Sequence, residues 1–110
     1  MSMWADYKKE REGVLSIEKD WGFVTYLLAG EECYIQDVYI KPEERRKRGM
    51  LDFGDEVSRL ALAAGCTHIT GTVSVGSNGD NESVAALLKY GMRLDSVRGN
   101  IIVFYKKLGE

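Results

Sequence analysis

The stretch that decides the fold is Tyr34-Ile-Gln-Asp-Val-Tyr-Ile-Lys-Pro-Glu-Glu-Arg-Arg-Lys-Arg-Gly-Met-Leu51. Its first part, from Cys33 to Ile40, is rich in β-branched and aromatic residues and stops at Lys41-Pro42, which reads as a strand and its end. Beyond it, Met50, Phe53, Val57, Leu60, Ala61 and Ala64 recur at helical spacing, and Gly65 is placed to cap the helix. Between strand and helix lies a basic loop, Arg45, Arg46, Lys47 and Arg48, closed by Gly49. The first N–H groups of a helix have no intrahelical partners, and the helix dipole there favours an anion. A glycine lets the backbone come close, so the turn from Arg46 to Leu51 has the chemistry to hold a diphosphate. The plain alternative is a solvated basic run on a helix N-terminus. Carboxylates on both sides (Glu43, Glu44, Asp52, Asp55, Glu56) weaken a nucleic-acid or nuclear-localisation reading.

Upstream, Val14–Glu18 alternates apolar and polar residues, and Lys19-Asp20 turns the chain. Trp21–Leu28 is a second strand, closed by Ala29-Gly30-Glu31. Connections this short favour an antiparallel meander. A charged segment, Met3–Arg11, precedes them as a helix end that Gly13 can stop. Downstream, His68–Val75 is a strand, and the loop Gly76-Ser77-Asn78-Gly79-Asp80 leads into a second amphipathic helix that closes at Gly91. Met92–Val97, a turn at Arg98-Gly99-Asn100, and Ile101–Lys107 complete the chain. The order βββ-α-β-α-ββ describes an α/β layer built around one sheet with two main helices.

With 110 residues, 45% of them hydrophobic, the chain is expected to form a single domain, 1–110, around one core. No apolar run approaches the roughly 20 residues that span a bilayer, and no signal-peptide core follows Met1, so a membrane role is not expected. Two isolated cysteines, Cys33 and Cys66, suit a reducing cytoplasm. With one His and no CxxC pair, no metal site is expected. The 15 Lys+Arg against 17 Asp+Glu leave no global nucleic-acid footprint.

The string Tyr-Ile-Gln-Asp-Val-Tyr-Ile-Lys-Pro-Glu-Glu-Arg-Arg-Lys-Arg-Gly resembles the strand and pyrophosphate loop of GNAT-superfamily N-acetyltransferases, in the polyamine-acetyltransferase-like form y-I-E-D-l-Y-V-x-P-E-x-R. Asn81-Glu-Ser83 and Leu87-Leu-Lys-Tyr-Gly-Met92 are similar to that family's N-E-x-S…L-Y-x-K-x-G-F helix. The resemblance covers roughly residues 14 to 107 in the right order. It implies a GNAT-like (acyl-CoA N-acyltransferase) fold, α+β with a mixed sheet. It also implies acetyl-CoA as cosubstrate, and transfer of acetyl to a primary amine: a protein lysine, a protein N-terminus or a small amine. In that family the backbone of the strand end, here Val38, Tyr39 and Ile40, binds the pantetheine arm and acetyl carbonyl. The loop and first helical turn, here Arg46, Lys47, Arg48, Gly49, Met50 and Leu51, bind the pyrophosphate. Asn81 and Ser83 fall on the family's helix motif, where they cap the helix or touch the cofactor.

The pattern is departed from at chemical positions. The family's R/Q-x-x-G-x-G/A ends here in Leu51, and the distance from Pro42 to Gly49 is one residue longer than usual. Gln36 stands where polyamine-type members often carry a Glu base, and Leu87 where a Tyr is usual. Asp80 takes the place of the usual Asn. A thioester aminolysis still needs a proton removed from the amine, and Asp37 is the expected base, with Glu32 and Tyr39 as substitutes. Tyr90, one turn from Leu87, is the expected acid in place of the missing tyrosine. His68 is expected to be a satisfied surface histidine and Cys66 an inert thiol. Gln36 and Leu87 also motivate a second reading, a noncatalytic GNAT-like module that binds CoA or a protein.

Family members usually open with a strand and two helices ahead of the strand at Val14; here only Met3–Arg11 precedes it. The expectation is a more open acceptor cleft, suited to a bulky acceptor such as a protein lysine or N-terminus, or one whose wall a partner subunit supplies. Two helices cannot cover both faces of such a sheet, so a homodimer is expected.

Overall fold

Alternation and tight turns in the first half produce β1 (Leu15–Lys19), β2 (Gly22–Ala29) and β3 (Glu32–Ile40), and the helical period produces α2 (Gly49–Ala63). β4 (His68–Ser74), α3 (Asp80–Tyr90), β5 (Arg93–Arg98) and β6 (Ile101–Lys107) follow in the expected order, and the N-terminal segment is a full helix, α1 (Met3–Glu12). This is a computed structural model, and it describes residues 3–45, 49–76 and 80–109, with the side chains of 80–82 outside the description. A short 3₁₀ turn, Pro42–Glu44, begins the loop after β3.

The strands form one six-stranded sheet in the order β1-β2-β3-β4-β6-β5. All neighbours are antiparallel except β3 and β4, which run parallel. The mixed α/β fold read from the sequence therefore stands, with α1 added to the two main helices.

One irregularity sets the faces of β3. Thr25 pairs with Asp37 and Tyr26 with Ile35, so Gln36 is an extra residue opposite the β2 step. A bulge of this kind resets the alternation of side chains. Cys33 and Ile35 before it, and Val38 and Ile40 after it, all pack into the same core. Asp37 and Tyr39 are exposed on the other side.

The core lies between the sheet and the pair α2 and α3, around Phe53, Val57, Ala61, Ile69 and Phe104. Both helices end in the same way. Gly65 and Gly91 adopt positive φ of 92° and 103°. After them, Cys66 N–H donates to the Ala61 carbonyl and Met92 N–H to the Leu87 carbonyl. These are Schellman closures, and in each both bonded residues are buried. The helices meet where α2 has no side chain: a Cβ on Gly54 would lie 2.1 Å from the Tyr90 ring. Glycine at 54 is what lets that ring seat against α2.

Among the described residues the opposite face of the sheet carries only α1, near β1 and β2. Ala5 and Val14 are buried there, and Trp4 meets Phe23 edge-on at 6.1 Å. Farther along that face Asp37 and Tyr39 are exposed.

Candidate active site

The parallel ladder between β3 and β4 ends at Ile35 and Gly71, although β3 continues to Ile40 and β4 to Ser74. A parallel pair that parts in this way leaves a wedge through the sheet, with strand backbone facing into it. The wedge is a cleft of about 780 Å³, within the range of small-molecule sites. Ile35, Gln36, Val38, Tyr39 and Ile40 line one wall, Gly71, Thr72 and Val73 the other, and Ser83, Ala86, Leu87 and Lys89 of α3 close the helix side. Met50 and Leu51, in the first turn of α2, also line it, with Pro42, Glu43 and Arg45 at its mouth.

The first turn of α2, whose opening amides lack intrahelical partners, borders this space, with Arg45, Lys89 and Glu43 as the charged residues along it. Arg45 is held in place there: its Nε donates to the Ile40 carbonyl at 2.9 Å, and its guanidinium lies 5.7 Å from the centre of the Tyr39 ring. An acyl-CoA fits these walls in kind. A diphosphate would meet the α2 N-terminus, and an extended amide-bearing arm would meet the unpaired edge of β3.

Of the expected site residues, Val38, Tyr39, Ile40, Met50, Leu51 and Ser83 come together in the cleft wall. Arg46, Lys47 and Arg48 lie outside the described residues, as does the side chain of Asn81. Gly49 is buried, and a Cβ there would lie 2.7 Å from the Trp21 ring and 3.2 Å from Ile40 Cδ1. Its lack of a side chain therefore serves the packing of α2 against Trp21, just ahead of β2, and Ile40 of β3, a reason that the expectation of close cofactor approach did not include.

Asp37 is exposed on the open face, between two cleft-lining neighbours, Gln36 and Val38. Glu32 is far down β3, where it accepts a hydrogen bond from Thr70 Oγ1. Tyr90 is turned away from the cleft. It is buried against α2, its hydroxyl donates to the Gly54 carbonyl at 2.7 Å and bonds Ser58 Oγ, and burial raises its pKa. The three-residue step from Leu87 carries Tyr90 around α3 onto the neighbouring helix, and Leu87 itself faces the cleft.

His68 is bonded through Nδ1 to Thr67 Oγ1 at 3.0 Å and stacks on Tyr105. Both cysteines are free and buried, and desolvation pushes the Cys33 thiol up to about 12, with a smaller contribution from Cys66. A buried neutral thiol is a poor nucleophile. Among the described residues no group of three or more His, Cys, Asp or Glu could hold a metal, and no helix is long and apolar enough to cross a membrane.

The β4 wall and Lys89 were not singled out from the sequence. Thr72 lines the cleft and shares a 2.9 Å hydroxyl bond with Tyr34 across the two strands. Nothing in the local pattern of β4 marks it as a wall, because the wall exists only where β3 parts from it.

A six-stranded mixed sheet split between two parallel neighbours, with a helix N-terminus at the split, is the architecture of the GNAT acyl-CoA N-acyltransferases. Solved structures with this fold include a Desulfovibrio desulfuricans protein assigned to the GNAT acetyltransferases, at TM-score 0.78 and 12% identity over 94% of this chain and 76% of that one. PaiA N-acetyltransferase from Thermoplasma acidophilum, in complex with coenzyme A, matches at TM-score 0.71 and 17% identity over 79% of this chain. That match spans only 53% of the Thermoplasma protein. A Bacillus subtilis acetyltransferase in complex with CoA matches at TM-score 0.68 and 13% identity, covering 94% of this chain and 83% of that one. No protein-family model and no curated protein matches the sequence.

Proposed function

We propose that the chain is an acetyl-CoA-dependent N-acetyltransferase acting on a primary amine. The observation that carries this reading is the parting of β3 from β4 beside the first turn of α2, which supplies strand backbone and helix amides to one cleft. Acetyl-CoA, when bound, supplies an acetyl thioester. The chain's own part is to hold the diphosphate at Arg46–Leu51, to align the arm along Val38, Tyr39 and Ile40, and to take a proton from the amine. Positioning and backbone donors supply much of such a rate enhancement. Asp37 is the proposed base, directly or through water, since the Gln36 amide has no useful proton affinity near neutral pH.

The free, buried Cys33 and Cys66 accord with a cytoplasmic setting. Leu94, Val97 and Ile101 are exposed at the β5–β6 end of the sheet, and we place the contact of a homodimer there. Light scattering at micromolar concentration tests it; a strictly monomeric mass, unchanged by acetyl-CoA, removes the dimer.

Calorimetric titration with acetyl-CoA, followed by a thiol-release assay over a panel of amines, tests the reaction. Binding and turnover are the expected result. Binding without turnover on any amine would favour the noncatalytic module, which Leu87 in the cleft and the engaged hydroxyl of Tyr90 also support. No binding would end the proposal.

A further inference from the structure

The cleft passes through the sheet. On the helix face it ends at the first turn of α2, where the diphosphate is proposed to sit, so the acceptor must enter from the open face. At that opening the side chain of Tyr39 belongs to two structures at once. It lines the cleft, and it is the first rung of an aromatic ladder that runs away from it. Tyr39 stacks on Phe23, its register partner on β2, with centroids 5.9 Å apart at 30°. Phe23 in turn meets Trp4 of α1 at 6.1 Å. The outer rungs are open to solvent, Tyr39 44% exposed and Trp4 47%. Both outer residues thus stay part exposed, Tyr39 with the Arg45 guanidinium over its ring, and the ladder leads from solvent to the cleft.

Asp37 shares a face with Tyr39 two positions away, at the cleft end. The other charges placed at these rings are two guanidiniums against one carboxylate. Arg45 lies 5.7 Å from the Tyr39 ring and Arg11 lies 5.9 Å from the ring of Tyr7 on α1, while Glu18 pairs with Phe23 in the β1–β2 register. Those guanidiniums disfavour a polycation, whereas ring surface beside the Asp37 carboxylate suits a single ammonium on a flat apolar body.

We propose that the acceptor is a small arylalkyl monoamine, its aromatic body laid along Tyr39, Phe23 and Trp4 and its ammonium at Asp37. This rests on the acetyltransferase reading and narrows its substrate class.

The test compares 2-phenylethylamine, butylamine, spermidine and a short peptide with a free N-terminus, in thiol-release assays at saturating acetyl-CoA. The expected result is a kcat/KM for 2-phenylethylamine about tenfold above butylamine, with spermidine and the peptide lower still. Trp4→Ala should cut that preference roughly three- to tenfold through KM, and Trp4→Phe should restore most of it. No preference for the aryl amine, preference for spermidine or the peptide, or a preference that survives Trp4→Ala would overturn the proposal. Should acetyl-CoA fail to bind or no amine be acetylated, the underlying reading fails by itself. The ladder is then judged by tryptophan emission during titration with 2-phenylethylamine: a saturable change lost in Trp4→Leu supports it, and no change overturns it.

Discussion

Replacing Tyr90 by Phe separates a structural phenol from a catalytic one. The substitution keeps the ring in its seat over Gly54, where it fills the space that a Cβ on Gly54 would need. It also keeps the ring under Lys106, whose ammonium lies 4.0 Å from its centre. Only the hydroxyl is lost, and with it the bonds to the Gly54 carbonyl and to Ser58 Oγ. Gly54 lies inside α2, so its carbonyl retains a helical donor, and the half-buried Ser58 hydroxyl can turn to water. Neither partner is orphaned. The loss is therefore the net worth of a buried hydrogen bond, about 1 kcal/mol, and not the larger penalty for a stranded polar group. For a domain of this size that lowers Tm by roughly 4–6 °C. If the hydroxyl only ties α3 to α2, kcat changes by less than about twofold. A positioned general acid contributes on the order of 10²–10⁴. Thermal unfolding followed by circular dichroism, paired with thiol release at saturating substrates, reads both quantities. A hundredfold fall in kcat with Tm unchanged would refute the structural reading and restore Tyr90 as the acid.

Gly49→Ala should cost about 1–2 kcal/mol, because the new methyl meets a Trp21 ring already packed at 4.6 Å on Phe53 while the gain in helix propensity is smaller. Arg46→Ala should instead weaken acetyl-CoA binding with Tm unchanged, and calorimetry beside thermal unfolding distinguishes the two. Asp37→Asn should lower kcat at least tenfold with acetyl-CoA affinity retained, and Gln36→Ala much less; equal turnover in wild type and Asp37→Asn would assign the proton to solvent. Cys33 makes alkaline stability testable. Its thiol is held up to about 12 from an ordinary 9.0, so both states keep the proton below pH 9, and above it only the folded state does. Stability falls as pH rises through that window, by up to about 1.4 kcal/mol per unit from this group. Urea titrations from pH 8 to 10 should show a shallower decline in Cys33→Ala than in wild type.

The elements of this fold were legible in the sequence because each is set by a local period and a local stop. Strand chemistry from Cys33 to Ile40, the helical recurrence from Met50 to Ala64, and glycines at 65 and 91 specify where backbone turns, whatever lies across the core. The strand end and helix start that border the cleft were legible for the same reason, since they follow one another in the chain. The open-face side of the cleft was not. Gln36 is a bulge residue only because Thr25 and Tyr26 lie opposite it, and that single step decides that Asp37 and Tyr39 share the open face. Tyr90 falls on α2 and Leu87 in the cleft because α3 packs against both α2 and β4, which a helical spacing alone cannot orient. Gly54 and Gly49 are needed by rings 36 and 28 positions away, Tyr90 and Trp21. The aromatic ladder draws Trp4, Phe23 and Tyr39 from three elements. Periods and caps act between near neighbours and can be read along the chain; close approach and shared faces arise only when distant segments are brought together, and the tertiary structure alone decides them.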